Sequence, residues 1–433
     1  MSRGLGGNLI LRSIAGIGAA AGIGQLIGLL AAPIVSRQFS QEDFGQFGLF
    51  FGLSNVLATL ALLGLQDALL AAENDRDAKS LLYASAVLCL VTSPCLGLVS
   101  FGLIHFNLLG YGALPAWSAV LIALAVGAIS AAVLVQIWLI RRTMFRTLAL
   151  GHLAQGAIRA STQIGAGACG LGYLGLGLSE VTTRAVVVLI MLTRAWGDLR
   201  DVAKVSLREC GRVVWRFRLF ALFRTPSTLA FNIGTALPPI FVTMGYGVAA
   251  AGLYTFMSAV LVVPAGFVQK SIGDVFLGHF AKRFRSDPVG ARSFLLRNAA
   301  ILLLLSVPLA AVLLFWGPYV FSFVFGTQWR EAGHLASLTV PLFMADLAIG
   351  PLGGALNVAN RPELKLVFDL LRIVGLGGAY AIAIANTSSL STLVLLFAWF
   401  GVLGYAIYFG LVLYGIHNPR NSSRPRDTVA QSD

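Results

Sequence analysis

Residues 116–140 read AWSAVLIALAVGAISAAVLVQIWLI, an apolar run without a charged side chain, closed by Arg141 and Arg142. A bilayer core about 30 Å thick is crossed by roughly 20 such residues in a helix, so this run reads as one membrane span with a basic end. The same pattern repeats outward in both directions. Apolar runs near 9–35, 45–71, 81–104, 147–170 and 173–193 complete a first set of six with it, and runs near 222–245, 249–272, 294–316, 333–359, 366–385 and 391–415 form a second set. The expected fold class is an all-α integral membrane protein of about twelve transmembrane helices.

Composition agrees. The 433 residues are 57% hydrophobic and 11% charged, against roughly 25% charged in an average soluble domain. The 31 Lys and Arg outnumber 18 Asp and Glu, a balance that in a soluble chain points to nucleic acid. Here position decides otherwise. With the N-terminus placed in the cytoplasm, 26 of the 31 cations fall in inward segments and adjacent helix ends, Arg37 and Arg330 fall outward, and Arg159, Arg184 and Arg372 lie inside spans. This bias places both termini in the cytoplasm. The basic charge then serves orientation and lipid contact, with no nucleic-acid partner. The run from Ile14 to Val35 is too long for a signal-peptide core and reads as a retained first helix. Cys89, Cys95, Cys169 and Cys210 have no CxxC spacing, so they read as apolar fillers rather than a disulfide framework or metal site.

The longest polar stretch divides the chain. Residues 1–193 form a first six-helix lobe, 194–221 a basic cytoplasmic linker with an amphipathic surface helix around Val202 to Phe217, 222–415 a second six-helix lobe, and 416–433 a disordered cytoplasmic tail. Gly45, Phe47 and Asp67 in the first half and Gly252, Tyr254 and Asp274 in the second share one spacing, as a parallel repeat about the membrane normal requires. No enzyme motif stands. Gly170, Gly172 and Gly175 satisfy GxGxxG but lie in a turn between spans with no strand before them, and the Asp75/Asp77 DxD has no domain to hold a nucleotide-sugar donor. P-loop, HExxH and GxSxG patterns do not occur, and neither an enzyme activity nor a cofactor is expected.

Ionisable residues at bilayer depth are costly and mark pathways or partners. His152, Gln155, Arg159 and Gln163 follow helical spacing within an arc of about 80° on the fifth span. Arg159 and Arg184 both lie near mid-depth, and Glu180 stands one turn from Arg184. An intrahelical Glu180–Arg184 pair would leave Arg159 a free cation; alternatively all three form one buried ion network between the fifth and sixth spans. Arg224, Thr228, Asn232 and Thr235 form a second stripe on the seventh span, where Arg224 can also snorkel, as can Lys270, Asp274, Asp67, Asp369 and Arg372. Asp346 lies too deep to snorkel, on a span interrupted by Pro341, Gly350, Pro351, Gly353 and Gly354. It and Glu180 are candidates for a coupling proton or cation, with a hydrogen-bonded helix partner as the other role open to Asp346.

Several short segments resemble a known family. Ser36-Arg37-Gln38-Phe39-Ser40-Gln41-Glu42-Asp43-Phe44-Gly45-Gln46-Phe47 resembles the "SR.LSPEDFGxY" signature after helix 1 of bacterial polysaccharide biosynthesis proteins, the O-antigen, exopolysaccharide and teichoic-acid flippases. Leu63 to Leu69 resembles their "LGLxxAL", Ala251 to Tyr254 with Pro264 their "GxYxxA…P", and Val324 to Gly333 their "FGxxWxxAG". The resemblance implies two six-helix bundles around a central cavity that opens alternately to each side of the bacterial cytoplasmic (inner) membrane. It implies an undecaprenyl-diphosphate-linked oligosaccharide as cargo, and work beside a polysaccharide polymerase and a chain-length regulator. The motifs themselves read as structural turns. A diphosphate at mid-depth needs cations in a low-dielectric site, and Arg159, Arg184, Arg224 and Arg372 are available, with His152, Gln155, Gln163 and Asn232 as polar neighbours. A cation-coupled multidrug exporter on the same scaffold and a membrane polysaccharide polymerase or ligase are the alternatives; the latter usually carries a large outward loop, absent here.

Overall fold

Backbone groups cannot stay unpaired in hydrocarbon, so a chain of this composition must close its hydrogen bonds within helices. The computed structural model describes residues 3–199, 207–361 and 363–417, which among themselves contain helices and turns but no strand. In chain order these are α1 (Arg3–Gln38), α2 (Gln41–Leu62), α3 (Leu65–Ala71), α4 (Asp75–His105), α5 (Ser118–Arg141), α6 (Phe145–Ala168), α7 (Gly172–Leu199) and α8 (Leu207–Tyr246). They continue as α9 (Val248–Ser286), α10 (Pro288–Phe325), α11 (Arg330–Leu338), α12 (Val340–Ile349), α13 (Ala355–Val358), α14 (Glu363–Ala385) and α15 (Leu390–His417).

Among the described residues, ten helical segments are long and apolar enough to cross a membrane. Each matches one of the twelve expected spans. The two spans outside that set are α6 and α9. Helix α6 has 24 residues, about 36 Å, which suffices in length, but its polar stripe lowers its apolarity. Helix α9 has 39 residues, of which Val248–Val262 stand out as apolar.

Two expected spans are broken. The run 45–71 ends as a helix at Leu62, because Leu63 and Gly64 turn left-handed with φ of 47° and 70°. Asp67 therefore sits in the first turn of α3, outside the span. The run 333–359 divides at Thr339, where Pro341 in the first turn of α12 lacks the N–H and the space to continue α11. A 3-10 turn at Gly350–Gly354 interrupts it again.

The two halves share one pairing scheme: α1 packs on α6 as α8 packs on α14, α4 on α5 as α10 on α12, α5 on α7 as α12 on α15, and α6 on α7 as α14 on α15. Helices α2 and α9 meet in the seam between halves, and there the repeat-related glycines lie against each other. A Cβ on Gly45 would strike the Val248 carbonyl, and one on Gly252 the Gln41 carbonyl, with the Gly45 amide nitrogen 3.0 Å away. Only glycine lets these backbones approach so closely. The aspartates of the repeat are not equivalent, since Asp67 follows a helix break and Asp274 lies within continuous α9.

The basic stretch after α7 also departs from expectation. Residues 202–206 of the proposed surface helix lie outside the described residues, but 207–217 form the start of α8, which runs unbroken to Tyr246. Val213, Val214 and Phe217 pack on Leu62, Leu65, Leu69 and Leu81 of the first half, while Arg212 and Arg216 face outward. The start of α8 thus packs on the first half, and further along, the helix touches both, with Ala236 and Ile240 against α2 and Gly234 against Arg372 of α14.

The aspartates of the DxD are ion-paired: Asp75 with Arg142 at 2.8 Å and Arg141 at 3.7 Å, and Asp77 with Arg216 at 3.3 Å. Cys89 is buried, whereas Cys95 and Cys169 are exposed rather than packed as fillers; the Cys210 side chain lies outside the described ones. Residues 418–433 of the expected tail lie outside the described residues.

Candidate functional site

Helix α6 is placed by close backbone contact with α1. A Cβ on Gly156 would strike the backbone of Gly24, and one on Gly24 the His152 carbonyl. This contact holds the stripe of His152, Gln155, Arg159 and Gln163 half-buried along α6. Arg159 Nη2 donates to Glu180 Oε2, and Arg184 Nε donates to Glu180 Oε1 at 2.8 Å. One carboxylate therefore bridges two guanidinium groups, and Arg159 is not the free cation that an intrahelical pair alone would leave.

The charges of this triad do not cancel. Glu180 is 2% exposed, whereas the side chains of Arg159 and Arg184 are 33% and 18% exposed. The buried centre is negative and its open rim positive, with one net positive charge. Arg159 Nε is buried without a hydrogen-bond partner, so only the guanidinium's outer nitrogens reach the open side. Arg184 stands about 18 Å along α7 from Gly172 and about 21 Å from Asp198, near the middle of its span. The triad joins α6 to α7 and presents a cationic surface at mid-depth.

The second half carries its own polar centre. Gln269 Nε2 on α9 donates to Asp346 Oδ2 at 2.9 Å, and the Tyr405 hydroxyl on α15 donates to Asp346 Oδ1. Asp346 is therefore hydrogen-bonded to two neighbouring helices, one of the two roles open to it, and its partner Gln269 borders open space. A cavity of about 370 Å³ is lined by Gln269, Gly266, Gly273, Leu277, Gly350, Pro351 and Gly354. Arg372 crosses the face of Gly234 on α8, where a Cβ would stand 3.6 Å from its Cδ, and lies close enough to Asp346 and Tyr405 to act on both electrostatically. Each half thus sets an arginine of its fifth long helix, α6 or α14, near an acidic group.

Of the stripe expected on the seventh span, Thr228 and Thr235 are exposed and Asn232 is half-buried. Asn232 Nδ2 donates to Thr59 Oγ1 of α2 at 2.7 Å, and Thr235 turns back on the Phe231 carbonyl of its own helix at 3.0 Å. Asn232 is spent in the seam between halves. Arg224 lies on α8, but its side chain, like those of Lys270 and Asp274, is outside the described ones.

Asp369 does not snorkel. It is 1% exposed and accepts from Lys365 Nζ at 2.8 Å, while the same ammonium sits 5.0 Å over the Phe231 ring of α8. The i, i+4 spacing of Lys365 and Asp369 is a signal that could have found this pair. No comparable signal marks Gln269 or Tyr405 as partners of Asp346.

Residues 34–334 match a family model described as polysaccharide biosynthesis protein. A relative from Bacillus subtilis (strain 168), the teichuronic acid biosynthesis protein TuaB, is 24% identical over 200 residues, 46% of this chain and 41% of its own length. The chain thus spans about two-fifths of that curated relative. Among solved structures, the lipid II flippase MurJ in an inward closed conformation superposes with a TM-score of 0.71 at 11% identity, over 93% of this chain and 87% of that one. An inward-facing multidrug resistance MATE family transporter of the MOP superfamily gives 0.64 at 15% identity, over 92% and 96% of the two chains. These two likenesses establish the fold.

Proposed function

The chain belongs to the polysaccharide biosynthesis protein family, and from that premise we propose that it carries a lipid-linked oligosaccharide across the bacterial cytoplasmic membrane. It is a multi-pass membrane protein of flippase and transporter fold. The finer reading is that two lobes, residues 1–193 and 222–415, enclose a path open alternately to each side, with the basic face and both termini cytoplasmic. The cargo is an undecaprenyl-diphosphate-linked glycan, supplied and consumed beside a polymerase and a chain-length regulator.

The observation that carries this reading is the Arg159–Glu180–Arg184 triad. A diphosphate entering a low-dielectric path loses hydration, and fixed guanidinium donors are the groups that replace it. Glu180 holds both arginines in place and cancels only one charge, so an anion can bind reversibly. Gln155, Gln163 and His152 extend the polar surface along α6 toward the sugar, and Arg372 offers a cation from the opposite lobe. In inverted membrane vesicles, Arg159→Ala at normal expression should abolish translocation of the lipid-linked oligosaccharide; full activity would discard the cationic site.

A second reading rests on Asp346. Its bonds to Gln269 and Tyr405 beside a cavity suit a coupling proton or cation, which serves a flippase or equally a cation-coupled drug exporter. Drug resistance conferred by the protein and lost in Asp346→Asn would favour the exporter, and lipid-linked glycan transport lost in the same variant would assign the coupling role within the flippase.

A further inference from the structure

The two family segments from opposite halves, Ser36–Phe47 and Val324–Gly333, touch neither the triad nor Asp346, yet they meet each other. Ser36 is fully buried. Its hydroxyl donates to the Phe325 carbonyl at 2.9 Å, and its own carbonyl accepts from Gln328 Nε2 at 2.7 Å and from Trp329 Nε1 at 2.8 Å. Gln41 Nε2 returns a bond to the Gln328 carbonyl at 2.7 Å, and Arg37 Nη2 donates to the carbonyls of Phe323 and Val324, both at 3.3 Å. The segment is held in shape locally by a capping box, in which Ser40 and Asp43 exchange bonds at the start of α2.

An aromatic layer lies beneath these bonds. Trp329 stacks on Phe256 at 4.0 Å between ring centroids, and Phe44 meets both rings edge-on at 5.1 Å. All of this lies at the face opposite the basic one, where α1 ends and α2 and α9 begin. At the basic end the apolar clusters separate. The cluster around Phe276, Phe280, Leu352 and Phe368 draws only on the second half. The one around Leu62, Leu81 and Trp138 draws on the first half and the start of α8.

We infer that Ser36 with Gln328 and Trp329 forms the gate of the face opposite the basic one, and that these residues position the lobes rather than touch cargo. The inference rests on the alternating-access reading above. Its chemistry suits a joint that must part and reform. Each neutral hydrogen bond contributes little net stability because water replaces it on opening. Three of them converging on one residue nevertheless fix a single register. Tight apolar packing alone would hold the lobes without specifying where they rejoin.

The test uses the full chain in nanodiscs, with its four cysteines replaced and spin labels attached at Phe106→Cys and Glu331→Cys, one on each lobe at that face. The parent should give one short distance. Ser36→Ala, Gln328→Ala and Trp329→Phe should each raise a longer-distance population by roughly fivefold, the effect of one neutral hydrogen bond. Gln46→Ala, which removes a bond to the Ala113 carbonyl within the first half, should not. Distances unchanged in all three gate variants would overturn the inference.

A second measurement is independent of those variants. A Cβ on Gly48 would stand 3.1 Å from the Thr255 Cβ, a few tenths of an ångström inside the usual disulfide range. Oxidising Gly48→Cys with Thr255→Cys should stop transport until reductant is added, and transport at the parent rate while cross-linked would refute the gate. Opening seen by the labels in a protein that moves no lipid-linked glycan would uphold the gate and defeat only the cargo assignment.

Discussion

At the scale of single residues, Glu180 bears most of the electrostatic argument. Removing its charge leaves two guanidinium groups held together with only a neutral amide between them. Breaking a buried pair of this kind costs about 3–5 kcal/mol, so Glu180→Gln should lower the thermal unfolding midpoint of the purified protein sharply. Arg159→Gln removes the more exposed partner and leaves the Arg184–Glu180 bond intact, so its midpoint should fall much less while transport is lost. Equal midpoint losses in the two variants would mean that the triad is only a structural bridge. Depth and spacing made Arg159, Glu180 and Arg184 legible in the sequence, because a charge far inside an apolar run requires a partner. Gln269 and Tyr405 were not legible: Gln269 stands beside Lys270 and Ser271 at the polar end of its run, Tyr405 lies in an apolar one, and the contact of each with Asp346 spans 77 or 59 residues of chain.

At the scale of elements, the α2–α9 seam depends on missing side chains. Gly45→Val would drive a β-branched side chain into the Val248 backbone, which cannot swing aside. Overpacking of this sort costs about 1–3 kcal/mol, and the loss should appear in the unfolding midpoint. Gly102→Val on α4, where an added Cβ meets nothing within 4 Å, should be nearly neutral by comparison. The shared glycine spacing marked these two helices as related by a repeat, but not as neighbours. Helix breaks were harder to read. Nothing polar punctuates Leu62 to Leu65, so the left-handed turn at Leu63 and Gly64 is hidden inside an apolar run. The division at Thr339 follows from Pro341, whose effect on a helix is a local one and was visible as an interruption but not as two separate helices.

At the scale of the whole molecule, twelve apolar runs, a basic face and a two-part layout were all present in composition and spacing, and the repeated helix pairing follows from them. The join between the halves was not. It is made by the α2–α9 seam, by residues 36–47 of one half against 324–333 of the other, some 290 positions apart, and by α8, which touches both halves. None of these contacts leaves a periodic trace. The proposed function requires that the cationic surface at mid-depth hold the diphosphate of the cargo. The most direct measurement is the affinity of the purified protein in nanodiscs for an undecaprenyl-diphosphate-linked oligosaccharide, compared with Arg159→Gln and with Gln328→Ala. Loss of one charged hydrogen-bond donor should weaken binding by roughly ten- to a hundredfold in Arg159→Gln, with Gln328→Ala close to the parent. Parent-like affinity in Arg159→Gln would contradict the account.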